Sequence, residues 1–135
     1  MTLIRREQKQ DRSGFTLMEL LVVIAIIVAL AGVGGYYYLQ SVEKSKINIA
    51  KIQVKTTLST ACKDYWIDHN QQWPPSLQEL ISGQDGKVYL EDASAIKDPW
   101  DKEYQYNSAG AHNGGRKPDI WTNTPEGEEI GNWLP

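Results

Sequence analysis

The stretch from Phe15 to Leu39, FTLMELLVVIAIIVALAGVGGYYYL, holds 25 residues and a single charge, Glu19, and it limits what the chain can become. As an α-helix it would extend roughly 38 Å, against about 30 Å for the hydrocarbon core of a bilayer. The average composition hides this. A mean hydropathy of −0.47 describes a polar chain because the remaining residues are markedly hydrophilic. Arg5, Arg6, Lys9 and Arg12 precede the apolar run against only Glu7 and Asp11, and Tyr36, Tyr37 and Tyr38 close its far end. Basic residues before a span and an aromatic belt after it predict a cytoplasmic leader and an exported remainder. Fourteen basic against 17 acidic residues, with a pI near 5.4, give no basic surface for nucleic acid. The single cysteine, Cys62, excludes an intrachain disulfide framework and a multi-cysteine zinc site.

Two plain readings compete for the apolar run. One is a secretory signal cut after Ala29-Leu30-Ala31, releasing a soluble binding domain that begins at Gly32. The other is an ordinary single-pass anchor in which Glu19 snorkels to the interface. Neither accounts for the junction Ser13-Gly14-Phe15-Thr16-Leu17-Met18-Glu19-Leu20-Leu21, where a short basic leader ends in glycine and FTLMELL opens the helix. That junction resembles the signal of type IV prepilins and type II secretion pseudopilins. The resemblance implies cleavage between Gly14 and Phe15 by a membrane-embedded prepilin peptidase, which also N-methylates the new Phe15 amine. Glu19 then becomes the fifth residue of the mature chain. A carboxylate in a membrane-inserting helix must lie near the interface, be paired or be protonated. In a staggered bundle the Phe15 amine of one subunit can approach Glu19 of its neighbour, which gives Glu19 an expected role in assembly.

Gly32, Gly34 and Gly35 lie near the outer end of the run, where either close packing against another helix or local unwinding would use them. Pseudopilins usually have proline at the position of Tyr36. From Gln40 to Asn70 no proline or glycine occurs, and Ile47, Val54, Leu58, Ala61, Cys62, Tyr65 and His69 recur at three- and four-residue steps. This predicts an amphipathic helix continuing the apolar one and ending before Trp73-Pro74-Pro75. Ser76, with Glu79 three residues on, predicts a capping box on a short helix SLQELI. Val88–Leu90, Glu103–Tyr106, Asp119–Thr122 and Glu129–Trp133 read as short strands between turn clusters. The expected fold is α+β: a long N-terminal helix packed on a small C-terminal antiparallel sheet. Trp73, Trp100, Trp121 and Trp133 are expected to fill the space between them. The expected organisation is a leader at 1–14, a transmembrane and filament-core helix at 15–39, and an exported head at 40–135.

The head sharpens the resemblance. YWIDHNQQWP, the SLQEL helix, DPWDKEYQY, PDIWTN and the closing IGNW follow, in order, the pattern of the major pseudopilin of type II secretion systems. Asp101 stands where that family usually has glycine, and Cys62 cannot close the C-terminal disulfide loop of many type IVa pilins. The resemblance implies a pilin-like fold and a structural subunit, made in the bacterial inner membrane and polymerised with copies of itself into a periplasmic filament that drives secretion. Its implied partners are the prepilin peptidase, an inner-membrane assembly platform with its ATPase, and minor pseudopilins. A type IV pilus or DNA-uptake pilin is the related alternative.

No nucleophile elbow, zinc-protease helix, P-loop or dinucleotide turn is present, and we expect no enzymatic activity. Cys62 reads as a buried hydrophobe and His69 as a residue that packs or caps near the helix end. The resemblance also implies a calcium site in the loop before the last strand, built on two aspartates. Here that loop, Asn123–Glu128, is several residues shorter and carries Glu126 and Glu128. With Asp119 they are the carboxylates available, and we expect no required cofactor and little calcium binding.

Overall fold

A computed structural model describes residues 14–83 and 86–135; the leader expected at 1–14 therefore lies outside the described residues except for Gly14. The chain forms two compact units, Met1–Leu39 and Gln40–Pro135.

In the first unit Thr16 precedes α1, which spans Leu17–Ile52 and extends into the second. Gly32, Gly34 and Gly35 do not interrupt it. Every residue from Gly14 to Leu39 is exposed, including Leu20, Ile24, Ile27 and Leu30. Helical hydrogen bonds satisfy the backbone within the segment, while among the described residues its side chains find nothing to bury against. That combination suits a bilayer. Among the described residues one helix, Leu17–Asp68, is long and apolar enough to cross a membrane.

In the second unit α1 gives way to a π-helical turn, Gln53–Thr57, and then to α2, Leu58–Asp68. The reason lies in the spacing of the apolar residues. Ala50, Val54 and Leu58 are separated by four residues each, which drifts around an ideal 3.6-residue helix. A wider i→i+5 turn absorbs the drift and keeps all three fully buried. The Leu58 N–H bonds the Gln53 carbonyl, and the Ser59 hydroxyl donates to the Val54 carbonyl at 2.6 Å. Asn70 and Gln71 then turn the chain with positive φ. Beyond the turn, Asp68 accepts from Lys87 Nζ at 2.7 Å and from the Tyr89 hydroxyl at 3.0 Å.

The sheet has three antiparallel strands in the order β1-β2-β3: Gln105–Asn107, Asp119–Asn123 and Glu129–Gly131. Tyr106 pairs with Ile120, and Thr122 with Ile130, so these four share a face. Gln105, Trp121 and Gly131 form the opposite row. The core joins Ala50, Val54, Leu58, Ala61, Cys62 and Tyr65 of the helix to Ile120 and Ile130 of the sheet. Leu77, Leu80, Leu90, Ile96 and Tyr104 complete it.

Three expectations need correction. Val88–Leu90 is not a strand, because the Tyr89 and Leu90 amides both donate to the Leu80 carbonyl at 2.9 Å and Val88 is exposed. Those bonds close a loop over a 3₁₀ turn at Leu77–Leu80 instead of extending the sheet. Ser76 makes no side-chain cap hydrogen bond on that turn, which is only four residues long. The tryptophans do not form the centre of the core. Trp73 and Trp100 pack against it half-buried, whereas Trp121 and Trp133 meet edge to face on the outer row, with centroids 5.9 Å apart. Trp133 arches over Gly131 so closely that a Cβ there would lie 2.8 Å from its ring.

Candidate functional site

The junction at the front of α1 is built by two side chains. The Glu19 carboxylate accepts the Thr16 N–H at 2.9 Å, and the Thr16 hydroxyl accepts the Glu19 N–H at 3.2 Å. This is a reciprocal capping box, with Thr16 at N-cap and Glu19 at N3. It satisfies amides that the first helical turn leaves without partners and places a negative charge at the positive end of the helix. Sequence reasoning singles out Glu19 but misses its local partner, although T-x-x-E before an apolar run is a sequence-level signal for this arrangement. Gly14 has open space around it and Phe15 is 84% exposed. Among the described residues nothing packs against the bond expected to be cut, and the Glu19 carboxylate lies in the first turn of the helix.

Two polar knots hold the head. In the first, Asp98 is buried, and its carboxylate accepts the Trp100 and Lys102 amides at 3.0 and 2.9 Å and the Thr122 hydroxyl at 2.5 Å. The DPW-x-x-x-Y segment is thereby wrapped around one side chain and fixed to β2. Asp101, in that turn, has φ of 65°, the left-handed conformation that suits glycine. In the second knot, Asn132 donates to the Pro118 carbonyl at 2.9 Å and to Ser59 Oγ at 3.3 Å. Its own oxygen accepts Asn113 Nδ2 at 2.9 Å. The IGNW motif thus ties the C-terminus, the turn before β2 and α2 together.

Asp119 belongs to the second knot. It accepts the His112 amide and Nδ1 at 3.0 Å each, and Asn113 Nδ2 at 2.7 Å. Burial alone would push its carboxyl up. Hydrogen bonds from His112 and Asn113, with the His112 charge, outweigh that and hold it below the usual carboxylate range. Glu126 and Glu128 are exposed on the loop between β2 and β3. Asp119, Glu126 and Glu128, of which a calcium ion would need two or more, form no such cluster: among the described residues no three His, Cys, Asp or Glu side chains are placed to hold a metal ion.

Cys62 is fully buried, and desolvation pushes its thiol up to about 12. His69 stacks on Tyr65 at 3.8 Å, and its Nδ1 lies 2.9 Å from the Tyr65 carbonyl oxygen. It packs at the helix end as expected.

Comparison with known proteins places both parts of the chain. Residues 37–133 match the family described as "Type II secretion system (T2SS), protein G", and residues 9–34 match the "Prokaryotic N-terminal methylation motif". The type II secretion system core protein G of Aeromonas hydrophila is 32% identical over 93% of this chain and 95% of its own length. That of Dickeya chrysanthemi is 30% identical over 93% and 88%, and that of Pseudomonas aeruginosa 29% over 93% and 98%. No solved structure matches the chain. A methylation motif opening an exposed apolar helix, followed by a head that matches one family almost throughout, leads to a single assignment: the chain belongs to the type II secretion system protein G family.

Proposed function

We propose that cutting between Gly14 and Phe15 converts a membrane-stored precursor into an assembly-competent filament subunit. The chain is a structural subunit of the type II secretion pseudopilus, and its work is mechanical. Addition of subunits from the inner membrane extends a periplasmic filament that pushes cargo outward, with energy from a cytoplasmic ATPase acting through the assembly platform. In the membrane the leader faces the cytoplasm and the head faces the periplasm. In the filament, the apolar helices bundle in the core.

The observation that carries this reading is the uniformly exposed apolar helix with one carboxylate at its front. A helix of this kind is stable in lipid or in a bundle of its own copies. Cleavage creates an amine on Phe15. In a staggered bundle that amine approaches Glu19 of the neighbouring copy, so two charges lose water together and fix one axial register. Electron microscopy and N-terminal mass analysis of membranes carrying the full secretion machinery test it. Mature chains should begin at N-methyl-Phe15. A bulky residue replacing Gly14 should leave precursor, and Glu19→Ala should be processed but form no filaments. Filaments from Glu19→Ala would overturn the pairing, and a mature chain beginning at Gly32 would overturn the reading itself.

The head is proposed to fold without calcium. The Asp119 oxygens are engaged by His112 and Asn113, and the loop offers glutamates on a short span. Adding calcium or a chelator should leave the melting temperature of the head unchanged; a calcium-dependent rise abolished by Glu126→Ala would refute this.

A further inference from the structure

A cleft of about 350 Å³ in the head is lined by Ser59, Thr60, Lys63, Trp66, Trp73, Arg116 and Lys117. Trp66 and Trp73 stack at 5.6 Å to form an aromatic wall beside three cations. Lys117 is partly held, donating to the Asn132 carbonyl at 3.2 Å. Lys63 and Arg116 are exposed. Among the described residues neither has an ion-pair partner, and the same is true of Glu126 and Glu128 on the loop between β2 and β3 and of Glu129 where that loop enters β3, all three exposed.

These two features match in charge, three positive against three negative, and among the described residues no ion pair joins them within one head. Lys117 lies just before β2 and the acidic loop follows its end, so the length of Asp119–Asn123, ~13 Å, separates them. Lys51 and Lys55 line a smaller groove with Glu128 and Glu129 and close no ion pair on them. We propose that the Lys63/Arg116/Lys117 cleft of one head receives the Glu126–Glu129 segment of a second copy of this chain. Such a contact uses two different patches from opposite ends of β2. It is heterologous, and a heterologous contact that does not close into a ring propagates as an open filament. The tryptophan wall offers apolar surface for a docked segment to cover, and a cation–carboxylate pair covered in that way is stronger and less screened by salt than an exposed one. The inference rests on the filament-subunit reading and adds which surfaces of the heads join.

The test uses the full chain in membranes with its secretion machinery. Thr60→Cys and Glu128→Cys are introduced together and treated with a short bismaleimide; buried Cys62 does not compete. The expected result is a ladder of dimers, trimers and higher species from the double variant and monomer from each single variant. Lys63→Glu with Arg116→Glu should abolish the ladder, and adding Glu126→Lys with Glu129→Lys should restore it, with the melting temperature of the head unchanged throughout. Filaments visible by electron microscopy with no cross-link from the double variant would overturn the docking and leave the filament reading standing. Absence of filaments from the unmodified protein would overturn both. Dimers without higher species, or capture of a different protein by the thiol that Thr60→Cys introduces, would overturn head-to-tail docking of copies.

Discussion

The indole Nε1 of Trp100 donates to Glu43 Oε1 at 2.8 Å, joining residues 57 positions apart. The turn that Asp98 organises is thus fastened to the C-terminal part of α1 by a carboxyl acceptor. Trp100→Phe keeps an aromatic ring and removes the bond, and should destabilise the fragment beginning at Gln40 by about 1–2 kcal/mol in urea denaturation. Glu43→Gln keeps an acceptor oxygen and should cost less than Trp100→Phe.

Asn132 should be the most sensitive polar position of the head. Truncation to alanine removes the acceptor of the buried Ile120 amide and the shorter of the two bonds to the Pro118 carbonyl, and leaves Asn113 Nδ2 with Asp119 and Pro118 alone. A loss of about 2–4 kcal/mol follows from such a network, which for a domain of this size lowers the melting temperature by roughly 10 °C or more. Asn132→Asp should do no better, since it replaces the donor facing Pro118 with an acceptor. Thermal melts followed by circular dichroism will measure both.

Acid should weaken the head through Asp119. Its folded carboxyl titrates below its unfolded value, so the stabilisation is fully present above the unfolded value, about pH 4. It is lost as pH falls from there through the lowered folded value. Asp119→Asn should flatten that acid limb while lowering stability at neutral pH. An unchanged slope of stability against pH below about 4 in this variant would show that another group controls the acid transition.

Asp101→Gly should be neutral or stabilising, by up to about 1 kcal/mol. It relieves a left-handed conformation that costs an L-residue roughly that much. The lost Lys97–Asp101 pair is at the surface and contributes little. Urea denaturation of the two proteins side by side will measure the difference.

Cys62 should resist alkylation at about pH 8 in the folded head and react at once in denaturant, because the thiol is buried and its pKa is raised to about 12. The rate of modification then reports opening of the α2 core.

The periodicity from Ile47 to Tyr65 locates the helix and most of its buried face, because burial and sequence share the same period. It misses Ala50, whose small side chain gives no contrast, and it misses the π turn. That turn keeps Ala50, Val54 and Leu58, each four positions apart, on one buried face, and without Ala50 among the buried residues the four-residue spacing is not apparent. Strands that pair through the DIWTN and EIG segments are legible from their flanking turns. Val88-Tyr89-Leu90 misleads because a three-residue apolar run carries no register. At the site, Glu19 is visible as a lone carboxylate, whereas the capping box expected at Ser76 forms at Thr16. Both positions satisfy the local pattern. The 36-residue α1 gives Thr16 an orphan first turn to cap, and the four-residue turn after Ser76 does not. The indoles sit away from their expected place because hydrophobicity alone does not separate a ring at the centre from one stacked along the rim.

The Asn132 knot also bears on where this head can be made. Many exported domains of its size wait for an oxidant to lock their last loop in place. Here the closing segment is secured by amide and carbonyl groups already present in the newly made chain, and the one thiol is enclosed in the core. Folding yield should therefore be the same in reducing and oxidising conditions, so the supply of subunits to a growing filament is independent of the redox state of the compartment.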